Sequence, residues 1–73
     1  MNSTNYEKLL PQAILFNLKE AEDLSIFKIP MSKKLIAAGK LESVKIGNKL
    51  HLSRTEIIRY LEENTSIVSK EKN

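Results

Sequence analysis

The chain has no cysteine and no tryptophan, one histidine, two glycines and two prolines in 73 residues. Without cysteine there is no disulfide framework and no thiolate metal site. The lone histidine, His51, excludes the usual multi-histidine zinc sets. So few Gly and Pro do not make a low-complexity chain. No apolar run approaches the ~20 residues that span a bilayer. The run from Leu9 to Phe16 is short, broken by Pro11, and has no basic residue before it except Lys8, which is not the pattern of a signal peptide. A cytoplasmic setting is therefore expected. A chain of this length predicts one domain with a thin core. It shows no Cys/His or paired-carboxylate constellation, so no catalysis, metal, cofactor or small-molecule ligand is expected.

What the chain does have is charge of one sign in one place. Lys28, Lys33, Lys34, Lys40, Lys45, Lys49 and Arg54 face the single acid Glu42 within residues 28–54, a net +6. Residues 1–27 carry −2 and residues 55–73 carry −1, giving the +3 of the whole. Such concentration is the electrostatic footprint of a nucleic-acid reader. A solvated basic face would show the same numbers, so charge alone does not decide.

The pattern along the chain predicts an arm, a compact centre and a tail. Residues 1–15 read as an N-terminal arm, with one helical turn before Pro11 and a short extended piece after it. Its apolar content (Leu9, Leu10, Ala13, Ile14, Leu15) suits either a cover for the core or a partner-binding arm. A first helix should begin at Leu18, because Asn17 with Glu20 three residues on forms a capping box. Leu18, Ala21 and Leu24 share its apolar face, and its acidic faces suit a buttress. A second helix should cover Ile29 to Ala38, with Pro30 tolerated in the first turn. Ile29, Ser32, Leu35 and Ile36 form its inward stripe, and Gly39 suits the left-handed position just past its end.

Ser43 to Leu52 reads as a hairpin. A two-residue Gly47-Asn48 loop would put the apolar residues on opposite faces. A three-residue loop, Gly47-Asn48-Lys49, pairs Ile46 with Leu50 and Val44 with Leu52, burying all four and turning Lys45 and His51 outward together. Because side chains alternate strictly, the three-residue loop is the expected one. A third helix should start at Arg54, with a capping box from Ser53 and Glu56 and a hydrophobic staple of Leu52 on Ile57. It should fade near Asn64, leaving residues 65–73 as a flexible C-terminal tail. The centre is thus residues 16–64, mostly α with a small β-hairpin.

Phe16-Asn17-Leu18-Lys19-Glu20-Ala21, then Leu35-Ile36, Gly39-Lys40-Leu41, Val44-Lys45-Ile46-Gly47-Asn48-Lys49, Leu50, Leu52, Ser53-Arg54-Thr55-Glu56 and Tyr60-Leu61-Glu62 occur in that order without a gap. This stretch, about two-thirds of the chain, resembles the excisionase/MerR-type winged helix-turn-helix family. The hairpin segment with the cap after it is the most specific part. The resemblance implies three helices plus a wing, with the second helix in the major groove of double-stranded DNA and the wing on the adjacent backbone or minor groove. It departs from the family pattern at four places. Ile26 stands where the turn often has Gly, and Lys28 where Ser or Thr often caps the second helix. Lys33 takes a position usually aromatic, and Leu50 one often held by Trp or Tyr. Lysine–phosphate contact must then carry more of the binding.

On this reading Lys33 and Lys34 are the leading DNA contacts, and Lys28 meets phosphate near the helix N-terminus. Ser32 is either an inward polar residue or a base reader. Asn48 and Lys49 form the wing tip, and Lys45 and His51 share the hairpin's outer face. Arg54 is either a phosphate ligand or merely exposed in its first turn. Met31 is core rim or a contact for a thymine methyl. Tyr6 and Tyr60 read as packing residues. The family includes excisionases (recombination directionality factors) that bend attachment-site DNA and assist an integrase, so the partners implied are duplex DNA, an integrase and neighbouring copies of the chain. The alternatives are a small transcriptional regulator of a mobile element and, in a different class, a protein-interaction module that has lost DNA.

Overall fold

A computed structural model describes residues 4–65. Within them four helices and a three-stranded antiparallel sheet alternate: α1 (Tyr6–Leu9), β1 (Leu15–Asn17), α2 (Leu18–Asp23), α3 (Ile29–Ala37), β2 (Val44–Ile46), β3 (Lys49–Ser53) and α4 (Arg54–Glu63). The architecture is mixed α and β. Beside the expected three helices and hairpin stand the one-turn helix α1 of the arm and an additional strand β1, which completes a sheet of order β1-β3-β2. The arm thus has the expected turn before Pro11, and its extended piece runs into a strand. The expected tail, apart from Thr65, lies outside the described residues. No helix among the described residues is long and apolar enough to cross a membrane.

Local chemistry sets the helix ends. The Asn17 side chain accepts from the Glu20 N–H at 2.7 Å, and the Glu20 carboxylate accepts from the Asn17 N–H at 2.8 Å, the full reciprocal box. Helix α2 ends when Ser25 turns left-handed (φ 65°), with the Ser25 N–H on the Glu22 carbonyl and the Ile26 N–H on the Ala21 carbonyl. Helix α3 ends the same way around Gly39 (φ 76°), with the Gly39 N–H on Ile36 and the Lys40 N–H on Leu35. Both are Schellman motifs. The left-handed residue of the first turn is Ser25, one position before Ile26.

The cap of α4 is half of what the sequence suggests. Ser53 Oγ accepts from the Glu56 N–H at 3.0 Å. The Glu56 carboxylate does not return to Ser53. It accepts the Glu42 N–H at 2.9 Å and both Nε and Nη2 of Arg59, and Arg59 Nη2 also donates to the Lys40 carbonyl at 3.1 Å. The segment after α3 is thereby tied to α4.

The core comprises Leu10, Phe16, Leu18, Ala21, Phe27, Leu41, Leu52, Ile57 and Ile58, with Leu35, Ile36, Leu50, Tyr60 and Leu61 packed on it. The staple pair Leu52 and Ile57 is fully buried. Phe27 and Tyr60 meet edge to face, centroids 5.5 Å apart, so Tyr60 is a packing residue. Leu24, expected inward, is the cap residue of α2 and is 40 % exposed. It has left the helical phase by the time the chain turns.

The hairpin register differs from the expected one. Ile46 stands opposite Lys49, Lys45 opposite Leu50 and Val44 opposite His51, which leaves a two-residue Gly47-Asn48 loop. Gly47 has φ 61° and Asn48 has no positive φ, the pattern of a type II′ turn, whose twist matches the flanking strands. Cross-strand partners share a face. Leu50 and Leu52 therefore point to the core, while Val44 and Ile46 point away and remain 41 % and 53 % exposed. Lys45 lies on the Leu50 side and His51 on the Val44 side, so they do not face outward together. The chief neighbour of β2 is β3. The face that carries Val44 and Ile46 stays open, so turn chemistry decides the register.

Candidate nucleic-acid interface

Helical spacing places Ile29 and Lys33 one turn apart on the same flank of α3. That flank faces the start of β3, where Lys49 follows directly on the tight turn. Between them runs a groove of about 230 Å3, with Ile29 and Leu50 in its lining and Lys33, Lys49 and Lys19 around it. A lining that combines apolar side chains with three lysines suits an anionic chain that also presents carbon surface.

Lys19 was not expected here. Helix phase shows which residues share a face but not which neighbour that face meets, and α2 reads in sequence as an acidic buttress. Lys19 Nζ is 2.8 Å from Asp23 Oδ1 in an exposed i,i+4 pair. The hydrogen bond and charge of Asp23 hold the ammonium above its usual pKa.

The other candidates fall into two groups. Lys28, Lys34, Lys45 and Asn48 are exposed, and His51 is half-buried on the outer sheet face with Nδ1 3.2 Å from the Lys49 carbonyl. Ser32 and Arg54 are placed otherwise. Ser32 is 0 % exposed on the core side of α3, the inward of its two expected placements. Its Oγ has no hydrogen-bond partner among the described residues. Arg54 turns to the N-terminal arm: Nε donates to the Pro11 carbonyl at 3.0 Å, and Nη2 to the carbonyls of Leu10 (3.3 Å) and Glu7. It clamps the C-terminal end of α1, where carbonyls lack helical partners.

At the leading end of α3 Lys28 is the cap residue and, as expected of a lysine where Ser or Thr often stands, makes no side-chain cap bond. The Ile29 N–H instead donates to Glu22 Oε2 at 3.2 Å. The anion at this helix N-terminus is therefore the protein's own carboxylate.

A larger hollow of about 540 Å3 lies between the segment after α3 and α4, but it mixes Lys40 and Arg59 with Glu42, Glu56 and Glu63. Arg59 is paired there with both Glu56 and Glu63. It has no one-sign character. No group of three or more His, Cys, Asp or Glu side chains among the described residues is arranged for a metal. No protein-family model, no curated protein and no solved structure matches the chain.

Proposed function

We propose that the chain is a winged helix-turn-helix protein that binds double-stranded DNA, with α3 in the major groove and the β2–β3 hairpin as the wing. The observation that carries this reading is the pair Lys33 and Lys49, from elements separated by a loop and a strand, in the lining of one groove. Lys34 on α3 and Asn48 at the turn extend the same reading along the helix and over the hairpin tip, and Lys28 and Lys45 add exposed charge. With Ser32 buried, base contacts from α3 are few. Phosphate contact then supplies most of the affinity, and DNA deformation supplies selectivity at positions the protein does not touch.

Within that reading we favour an excisionase, or recombination directionality factor, that binds and bends attachment-site DNA beside an integrase. A small transcriptional regulator would use the same surface, and footprinting beside an integrase gene or a promoter separates the two. The direct test is salt. If about four to six phosphates are neutralised, log K falls against log salt with a slope near −4 to −5. Lys33→Ala with Lys34→Ala flattens that slope by about one to two. A folded chain with no affinity for duplex DNA in dilute buffer would refute the proposal.

A further inference from the structure

We propose that Glu22 is a built-in competitor for DNA phosphate, which limits how tightly the leading end of α3 grips the duplex backbone. This rests on the DNA-binding reading above and adds to it a residue that opposes binding.

The donors available at that helix end are few. The first residues of a helix have backbone N–H groups without helical partners, and these groups and the dipole attract anions. In α3, Pro30 has no N–H, and the Ser32 N–H already donates to the Lys28 carbonyl at 3.0 Å. Ile29 and Met31 remain, and Glu22 takes Ile29 at 3.2 Å. The carboxylate arrives from α2 across the Ser25 turn and is partly buried. Glu22 and Lys28 line one notch of about 220 Å3 there, together with Ser25, Ile26 and Phe27. The Lys28 ammonium, otherwise suited to a phosphate, thus shares its notch with a fixed negative charge. A phosphate approaching α3 from this end meets Glu22 before it meets a free N–H. The arrangement lowers affinity for any backbone, whatever its sequence, and the charge of Glu22 also acts on Lys19 beside the Lys33–Lys49 groove.

The experiment is an anisotropy titration of a labelled random-sequence duplex at several salt concentrations. The proteins are wild type, Glu22→Gln, Lys28→Ala, the double variant, and Glu62→Gln as a charge-matched control on the exposed side of α4. The amide of Glu22→Gln keeps an oxygen that can accept the Ile29 bond, and circular dichroism melts establish that each variant is folded. Glu22→Gln should bind about two- to fivefold tighter than wild type, with a salt slope steeper by about one. Glu62→Gln should change little. Lys28→Ala should cost more affinity in the Glu22→Gln background than in wild type, because only there does a phosphate reach the notch. If Glu22→Gln binds no tighter than Glu62→Gln, or the two Lys28→Ala losses are equal, the role of Glu22 is refuted while a steep wild-type slope still stands for DNA binding. If wild type and Glu22→Gln both ignore the duplex, the DNA reading and this inference fall together.

Discussion

The Arg59 guanidinium holds both oxygens of the Glu56 carboxylate, Nε to Oε1 at 2.8 Å and Nη2 to Oε2 at 2.6 Å. Through it the segment between α3 and β2 is fastened to α4, since Glu56 also accepts the Glu42 N–H and Arg59 also donates to the Lys40 carbonyl. The Arg59 hydrogen bonds, helped by the Glu42 N–H and opposed by desolvation, hold the Glu56 carboxyl below the usual glutamate range. Its pKa is therefore lower in the folded state than in the unfolded one. The stability it contributes is complete above the unfolded value of about 4.3. That stability is lost as pH falls from there through the lower folded value. Urea unfolding should show the wild type losing stability below about pH 4.5. Glu56→Gln should be less stable at neutral pH by about 1–2 kcal/mol, a charge-assisted network discounted for the 41 % exposure of the Arg59 side chain. It should also lose less on acidification. Parallel acid limbs for the two proteins would remove Glu56 from this role.

Ser25 and Gly39 do the same job at the ends of α2 and α3, at φ 65° and 76°. A left-handed backbone costs an L-residue with a Cβ about 1–2 kcal/mol, and glycine avoids that at some entropic cost. Ser25→Gly should therefore raise the unfolding free energy by about 0.5–1 kcal/mol. Gly39→Ala should lower it, although a Cβ there meets no atom within 4 Å, because the penalty is conformational. Denaturant melts of the two variants should shift in opposite directions.

Ser32 is fully enclosed and its hydroxyl has no partner among the described residues. An unsatisfied buried hydroxyl lowers stability, and alanine is the better helix former. Ser32→Ala should thus be neutral or stabilising by up to about 1 kcal/mol. Because the side chain is sealed from the outer flank of α3, duplex affinity and its salt slope should be unchanged. A clear loss of site selectivity without loss of stability would return Ser32 to base reading.

How much of this was legible follows from the range of each signal. Caps act within three or four residues, so Asn17 with Glu20, Ser53 and Gly39 announced their helix ends. Ser25 did not, because nothing marks a serine that must turn left-handed. The hairpin lies where expected but in another register: alternation favours burying Val44 and Ile46, while the Gly47-Asn48 turn decides otherwise. The bonds of Arg54 and Arg59 run to carbonyls 43 and 19 residues away. A charge count cannot foresee that. For the same reason the +6 segment overstated the charge available to a partner, and Lys19, outside it, was overlooked.

Arg54 separates structural from interfacial charge most sharply. Its three hydrogen bonds to the carbonyls of Glu7, Leu10 and Pro11 hold an arm whose apolar residues are unevenly buried: Leu10 sits in the core, but Leu9 and Ile14 are 68 % and 85 % exposed. The hydroxyl pair Tyr6 Oη and Thr65 Oγ1 pins the arm's other end to the end of α4. With so little burial, the guanidinium supplies much of the restraint. Arg54→Gln should lower stability by about 1–2 kcal/mol. It should also open the chain to chymotrypsin after Tyr6 and Leu9 well below the global midpoint, as a locally unfolding segment does. The salt slope of duplex binding should stay at its wild-type value, because a cation committed to the arm releases no counterion from DNA. A slope flattened by about one, as for a lost phosphate contact, would mean that Arg54 leaves the arm when DNA arrives.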